Sequence, residues 1–241
     1  MVSRVPEEVG GYVLAGGQSS RMGRNKALLE LAGKPLIRHA VKKLRRICID
    51  VRVLSDNVEL AEYAPIVPDI HHGCGPMSGM EAGLLHSIFE WNLFLAVDMP
   101  FLPTAFISSW LRVWLREEKR ERGGARVRMF TVDGQSQPGF CLLHRDVALF
   151  LTAALEQGNY KLLPTLEAAG RALSLKQGLL PGVGCWNVPV TGFRSTRGKG
   201  QGEEWRYTTE AQQAAKHLWF ANLNTPEEFA EAERFVDALD T

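Results

Sequence analysis

The stretch from Tyr12 to Leu31, YVLAGGQSSRMGRNKALLEL, decides how the rest of the chain is read. It opens as an apolar run, breaks at Gly16 and Gly17, passes through small polar residues, and then carries Arg21, Arg24 and Lys26. A strand that delivers its carboxyl end into a glycine-rich loop and then a helix is an anion-binding arrangement, because unpaired backbone N–H groups and the positive helix end converge there. The bland alternative is a tight turn after an edge strand, with solvated cations. A hydrophobic core has no use for these cations, and Arg21 and Lys26 both fall close to the strand end, which favours the anion site. Arg24 fits either reading. Two familiar phosphate loops do not fit: Met22 stands where GxxxxGK needs its second glycine, and GxGxxG is absent.

Outward from this stretch, short apolar runs alternate with helical patterns. GYVLA is followed by a helix over about 35–48, then VRVL, a short helix and APIVPD. A second set has a helix over about 78–90, the run NLFLAVD, and an amphipathic helix from Pro103 whose end, REEKRER, reads as a solvated face. ARVRMFTV and PGFCLLH read as strands, and helices follow over about 145–157 and 161–169. This is the βαβ rhythm of an α/β fold with a mostly parallel sheet. From 171 to 206 the rhythm fails in a stretch rich in glycine and broken by Pro181 and Pro189, which predicts a loop insert, with Arg194, Arg197, Lys199 and Arg206 making part of it basic. The insert reads as a disordered loop, or else as a lid or docking surface. Beyond it, Asn224-Thr225-Pro226 is a helix start leading into a final acidic helix.

A chain of 241 residues suits one α/β domain over 1–241. The 45% apolar and 23% charged shares are those of a soluble globule, and a net charge of +1 supplies no field to draw nucleic acid or a membrane. With neither a bilayer-length apolar run nor a signal-peptide core, a cytoplasmic location is expected. Cys48, Cys74, Cys141 and Cys185 are scattered without a CxxC pair, so free thiols are expected. Adjacent His71 and His72 cannot easily face one metal, so zinc is not indicated.

Asp98 ends the run LFLAV, which places it at the carboxyl end of a strand, where open α/β sheets put their ligands. Opposite a phosphate loop, such a carboxylate suits Mg²⁺, or Mn²⁺ in its place; a helix-capping aspartate is the alternative. Asp69 ends APIVPD in the same way, with a turn-forming role as its alternative.

LAGGQSSRMGRNK resembles the signature LAGGxSxRMGxxK of the molybdenum cofactor guanylyltransferases, the molybdopterin-guanine dinucleotide biosynthesis protein A family of the nucleotidyltransferase superfamily. LLELAGKPLIRH, PDIHHGCGPMSGMEAGL, LAVDMPFLP, GQSQPGFCLLH and NLNTPEEF extend the resemblance over nearly the whole chain outside the insert. It implies a Rossmann-like three-layer fold, with a nucleotide-binding N-terminal half and an acceptor-binding C-terminal half. Leu14, Ala15, Gly16, Gly17, Arg21, Lys26, Asp69, Gly75, Pro76, Gly79 and Asp98 are then expected to bind nucleotide. Of these Arg21, Lys26 and Asp98 are expected to act in catalysis, with Asp98 as metal ligand. Gln137, Pro138, Lys161, Asn222 and Asn224 fall on the acceptor side. Two positions depart from the family pattern: Lys161 stands where Arg is usual, and Leu54 where an Asn often contacts the nucleotide, a role Asp56 or Asn57 could take. The implied reaction joins GTP and molybdopterin with release of pyrophosphate, and molybdoenzymes or their chaperones are implied as transient partners. Alternatives are a molybdopterin cytidylyltransferase, another small-molecule phosphate nucleotidyltransferase, or a non-catalytic cofactor carrier. Cytidylyltransferases of this group typically read LAAG, so Gly16 favours a purine.

Overall fold

A computed structural model describes residues 9–16, 25–121, 125–176, 184–188 and 207–240, the backbone alone for 116–121 and 184–188. After β1 (Val9–Leu14) comes a hairpin of β2 (Glu30–Leu31) and β3 (Lys34–Pro35), then α1 (Leu36–Arg45), β4 (Asp50–Leu54), β5 (Ile66–Val67) and α2 (Pro76–His86). The chain continues through β6 (Trp91–Ala96), α3 (Thr104–Glu121), β7 (Val127–Val132), β8 (Gln135–His144), α4 (Ala148–Glu156) and α5 (Leu162–Lys176). It closes with β9 (Gly184–Val188), α6 (Glu210–Ala214) and α7 (Pro226–Ala232). The main sheet has the order β5-β4-β1-β6-β8-β7-β9. Every pairing in it is parallel except those of β8, which runs against β6 and β7, so the sheet is mostly parallel as expected.

The strands are apolar throughout because both faces of the sheet are covered. Along β1, Val13 joins the cluster under α1 and α3, whereas Tyr12 and Leu14 join the one under α2, α4 and α5. In β6, Leu93 and Leu95 face the first cluster and Phe94 the second. A slip of one residue would exchange every such side chain between faces, at about 1.5–3 kcal/mol for each large one misplaced, so packing sets the register. Helix α2 lies close on the sheet at Gly83, where a Cβ would come within 3.2 Å of Phe94 and Tyr12. The three-layer arrangement expected for the chain follows.

Three features differ from the sequence reading. From residue 25 the glycine loop leads into a 3-10 turn (Lys26–Leu28) and the β2–β3 hairpin, with α1 starting only at Leu36, so no α-helix begins directly at that point. Helix α5 runs to Lys176 instead of stopping near Ala169, because Thr165, Leu166, Ala169, Gly170, Leu173 and Ser174 keep one buried face at helical spacing. Within the expected loop insert, β9 pairs in parallel with β7 from Arg128↔Gly184 to Val132↔Val188, extending a sheet edge whose backbone groups would otherwise lack strand partners. Residues 177–183 and 189–206, with the four named cations, and the side chains of REEKRER lie outside the described residues. Cys48, Cys74 and Cys141 are free thiols, and burial pushes Cys48 and Cys141 well above the ordinary thiol range. Among the described residues no helix is long and apolar enough to cross a membrane.

The C-terminal segment is fastened by a buried ion pair. Lys43 of α1 is only 2% exposed and its Nζ lies 2.7 Å from Asp240 Oδ2. The same oxygen accepts the Thr104 N–H at 2.9 Å and its hydroxyl at 2.6 Å, while Oδ1 accepts from Gln212 Nε2 at 3.1 Å. Burial pushes the Asp240 carboxyl up, but the Lys43 charge and the bonds from Lys43 and Thr104 outweigh it and hold the group below the ordinary carboxylate range. A depressed carboxyl contributes stability that is full above its unfolded value, about 3.9, and is lost as pH falls through the folded value. Asp240→Asn should therefore cost about 3 kcal/mol at pH 7, and its Tm deficit should narrow below about pH 4. Thermal melts across that range check this; a deficit that does not change with pH would contradict it.

Candidate active site

Four parallel strands end on one level. Val67, Leu54, Leu14 and Ala96 pair in a row across β5, β4, β1 and β6. Two residues beyond these ends stand Asp69, Asp56, Gly16 and Asp98 respectively, along an edge of roughly 15 Å at the usual strand spacing. The turns leaving this edge are tied to it, since Ala15 N–H donates to Leu54 O and Val97 N–H to Leu14 O, each at 3.1 Å.

On the β6 side, the 3-10 turn Lys26–Leu28, capped by the Asn25 side chain, brings Lys26 to Asp98. The Lys26 ammonium forms an ion pair with Asp98 Oδ2 and donates to Asn224 Oδ1 at 2.6 Å. Residues separated by 72 and 198 positions thus meet at one ammonium. Asn224 is aimed by its own turn: its amide donates to Asn222 O at 3.0 Å, and Thr225 and Glu228 form a capping box that starts α7 at Pro226. The Leu223 N–H donates to Asp98 O at 3.1 Å, so the C-terminal segment also grips the backbone of the carboxylate turn. The other carboxylate oxygen, Asp98 Oδ1, is buried with no hydrogen-bond partner among the described residues. A buried lone pair beside an ammonium and a strand-end loop suits a hard cation that takes one protein carboxylate and completes its shell with substrate phosphates and water.

On the β5 side, Asp69 is half-buried, and burial followed by the neighbouring Asp56 charge pushes its carboxyl up. Asp56 Oδ1 accepts the Asp69 N–H at 3.0 Å and Oδ2 lies 2.8 Å from His72 Nδ1. His71 turns the other way, 2.7 Å from Glu81 Oε2, while the Glu81 Oε1 accepts from Thr152 at 2.6 Å. Gly75 is the N-cap of α2 at φ +72°, a conformation that favours glycine, and Pro76 takes the first helical position. Gly79 belongs to the first turn of α2 and not to the loop before it; a Cβ there would meet Asp69 Oδ1 and Leu54 at 3.4 Å. The paired carboxylates Asp56 and Glu81 escape the sequence reading as anchors of this loop. Asp56 had a signal, its place two residues past an apolar run; Glu81 had none, because its partners come from another loop and from α4.

Leu14, Ala15, Gly16, Lys26, Asp69, Gly75, Pro76, Gly79 and Asp98 therefore share the carboxyl edge of the sheet, while Gly17, Arg21 and Arg24 lie outside the described residues. Of the residues expected to bind the acceptor, Gln137 and Pro138 lie on β8 just before Phe140, the partner of Leu95, and a Cβ on Gly139 would meet Ala96 at 3.3 Å. The Gln137 amide donates back to Gln135 O at 3.2 Å. Lys161 is exposed ahead of α5. Among the described residues no group of three or more His, Cys, Asp or Glu side chains could hold a metal ion.

A doubly covered, mostly parallel sheet whose strand ends gather a glycine turn, a lysine and a carboxylate is the arrangement of a nucleotide-binding α/β protein. A family model described as MobA-like NTP transferase domain matches residues 11–170. The molybdenum cofactor guanylyltransferase of Serratia proteamaculans is 34% identical over 171 residues, 68% of this chain and 82% of the relative. The enzyme of the same name from Yersinia pestis is 33% identical over 164 residues, 66% and 80% of the two chains. The crystal structure of molybdopterin-guanine dinucleotide biosynthesis protein A from Archaeoglobus fulgidus shares the fold, with a TM-score of 0.65 at 23% identity, covering 95% of this chain and all of the other. The protein belongs to the MobA-like NTP transferase family.

Gly16 is exposed, and among the described residues a Cβ on it would meet only Leu54 O, at an ordinary 3.7 Å. Packing against the described residues therefore does not require glycine at this position. Gly16→Ala should leave Tm within about 1 °C yet weaken GTP binding by about tenfold, the cost of one methyl forced against a ligand. Calorimetric titration with GTP decides this: unchanged affinity would make Gly16 a turn residue only.

Proposed function

We propose that the protein transfers the GMP group of GTP to the terminal phosphate of molybdopterin, giving the guanine dinucleotide form of the cofactor and pyrophosphate. An oxygen of the acceptor phosphate forms the new bond to the α-phosphorus, and the bond from that phosphorus to the pyrophosphate oxygen breaks. No protein nucleophile is needed, so catalysis is positioning and charge stabilisation. The observation that carries the reading is the meeting of Lys26, Asp98 and Asn224 beside the Gly16 turn. The guanylyltransferases of similar sequence support the choice of substrates.

In this reading Gly16, with Gly17 and Arg21, brings backbone and charge to the nucleotide phosphates. Lys26 turns its ammonium to the pyrophosphate as charge accumulates there, and Asn224 keeps it aimed. Asp69, Gly75, Pro76 and Gly79 face the base and ribose. Gln137, Pro138, Lys161, Asn222 and Asn224 receive the acceptor, Lys161 as a point charge where a guanidinium would bind two oxygens. Asp98 would hold Mg²⁺, or Mn²⁺, through its buried Oδ1; such an ion offsets negative charge on the phosphate oxygens. The first half of the single domain serves the nucleotide and the second the acceptor, with product passed to molybdoenzymes or their chaperones in the cytoplasm.

Pyrophosphate release is to be measured with GTP, CTP, ATP and UTP, each with Mg²⁺ and molybdopterin. Release with GTP alone is expected, and Lys26→Met and Asp98→Asn should each lower kcat about 10²-fold or more with Tm nearly unchanged. Release with CTP instead would keep the mechanism and replace the substrate; no release with any nucleotide would leave a carrier role.

A further inference from the structure

Asp98 sits in a turn that is poor in its own donors. The sequence Asp98-Met99-Pro100-Phe101-Leu102-Pro103 contains two prolines, which contribute no N–H, so the turn cannot be closed by an ordinary ladder of backbone bonds. Backbone bonds fix its beginning: Val97 N–H to Leu14 O, Met99 N–H to Ala96 O, and Leu223 N–H to Asp98 O. Its far side is held by a side chain. Lys43 Nζ donates to Pro100 O at 3.1 Å and to Leu102 O, and its third donor goes to Asp240. An ammonium has three N–H groups, and all three have acceptors here.

Ion pairing alone does not explain a lysine at this position. A buried ion pair exchanged for apolar side chains of similar size is often neutral or stabilising, and methionine would pack where Lys43 lies. What an apolar side chain cannot do is grip two carbonyls two and four residues beyond Asp98. Asp240 in turn anchors Thr104, the first residue of α3, and Gln212 of α6. The turn is thus clamped between α1 and the C-terminal segment, the same segment whose Leu223 and Asn224 touch Asp98 and Lys26 directly.

Resting on the guanylyltransferase reading, we infer that Lys43 and Asp240 are positioning residues for the transfer reaction: together they set the Asp98 turn against the Asn222–Asn224 strap, and so align the nucleotide side of the site with the acceptor side. Neither contacts substrate. Their effect passes through the Pro100 and Leu102 carbonyls, away from Gly16 and Asp69, so it falls on the alignment of reacting groups and not on GTP affinity.

The test uses the full-length protein and the double variant Lys43→Met/Asp240→Asn, which removes both charges together and leaves an amide oxygen to cap Thr104. Pyrophosphate release from GTP should fall about 10- to 100-fold in kcat, the range expected of a displacement near 1 Å, with KM for GTP within about threefold. Hydrogen exchange at the Leu223 amide, whose acceptor is Asp98 O, should speed at least about tenfold while the β1 and β6 amides keep their protection. A folded double variant with wild-type kcat and wild-type protection at Leu223 would overturn the inference, as would a fall in activity explained wholly by lost folded protein. Should the double variant not fold, Asp240→Glu, which keeps both charges and displaces the ammonium by one methylene, carries the same two measurements. Exchange at Leu223 needs no turnover, so it decides the positioning role even if the wild-type protein releases no pyrophosphate from GTP, an outcome that would defeat the functional reading alone.

Discussion

The level ending of four parallel strands is the constraint on which the site depends. Side chains on a doubly covered sheet leave one register that buries them all, and that register stops Val67, Leu54, Leu14 and Ala96 in a row. Parallel strands all point their carboxyl ends the same way, so the chain leaves the sheet in successive turns along one edge. Residues a fixed two steps past each end then become neighbours without any local sequence signal joining them. Gly16, Asp56, Asp69 and Asp98 are collected by this rule, and the polar site follows from an apolar packing problem.

The edge alone does not complete the site. Lys26 reaches Asp98 from a turn after β1, and Asn224 arrives from the far end of the chain. The segment from 209 to 240 is built from short helical pieces, yet it donates to Asp98 O through Leu223, accepts from Lys26 through Asn224, and binds Lys43 through Asp240. Two capping boxes, at Thr209 and Thr225, fix its short helices. Its attachment by these polar contacts has a physical consequence: such contacts depend strongly on geometry, so they hold a position more sharply than apolar contacts of equal strength.

Charge is distributed to the same end. The chain as a whole is nearly neutral, so attraction for an anionic substrate is local and short-ranged. On the β5 side two carboxylates are engaged, Asp56 by His72 and the Asp69 backbone N–H, Glu81 by His71 and Thr152. On the β6 side a carboxylate oxygen is buried beside an ammonium, without a hydrogen-bond partner among the described residues. The first arrangement holds a loop in place; the second leaves coordinating capacity directed at the site.

Much of this was legible in the sequence. Alternation of apolar runs with helical patterns gave the parallel sheet; Gly16, Asp69 and Asp98 stood just past strand ends; and Asn224-Thr225-Pro226 announced a helix start that Thr225 and Glu228 do cap. Even Lys43 carried a signal, since it lies seven residues after Leu36 and three after Ala40, on the apolar face of α1. The strand β9 was not legible, because its run is short and its pairing depends on an edge that only the folded sheet presents. Nor were Glu81 with His71, or Lys43 with Asp240. By itself the sequence determined which residues are apolar at which period, and hence the layers and the edge where the site lies, because periodicity is a local property of the chain. Tertiary structure alone decided which charge meets which, because Lys26 with Asn224 and Lys43 with Asp240 are each separated by nearly two hundred residues, and only the closing of the fold brings such partners within bonding distance.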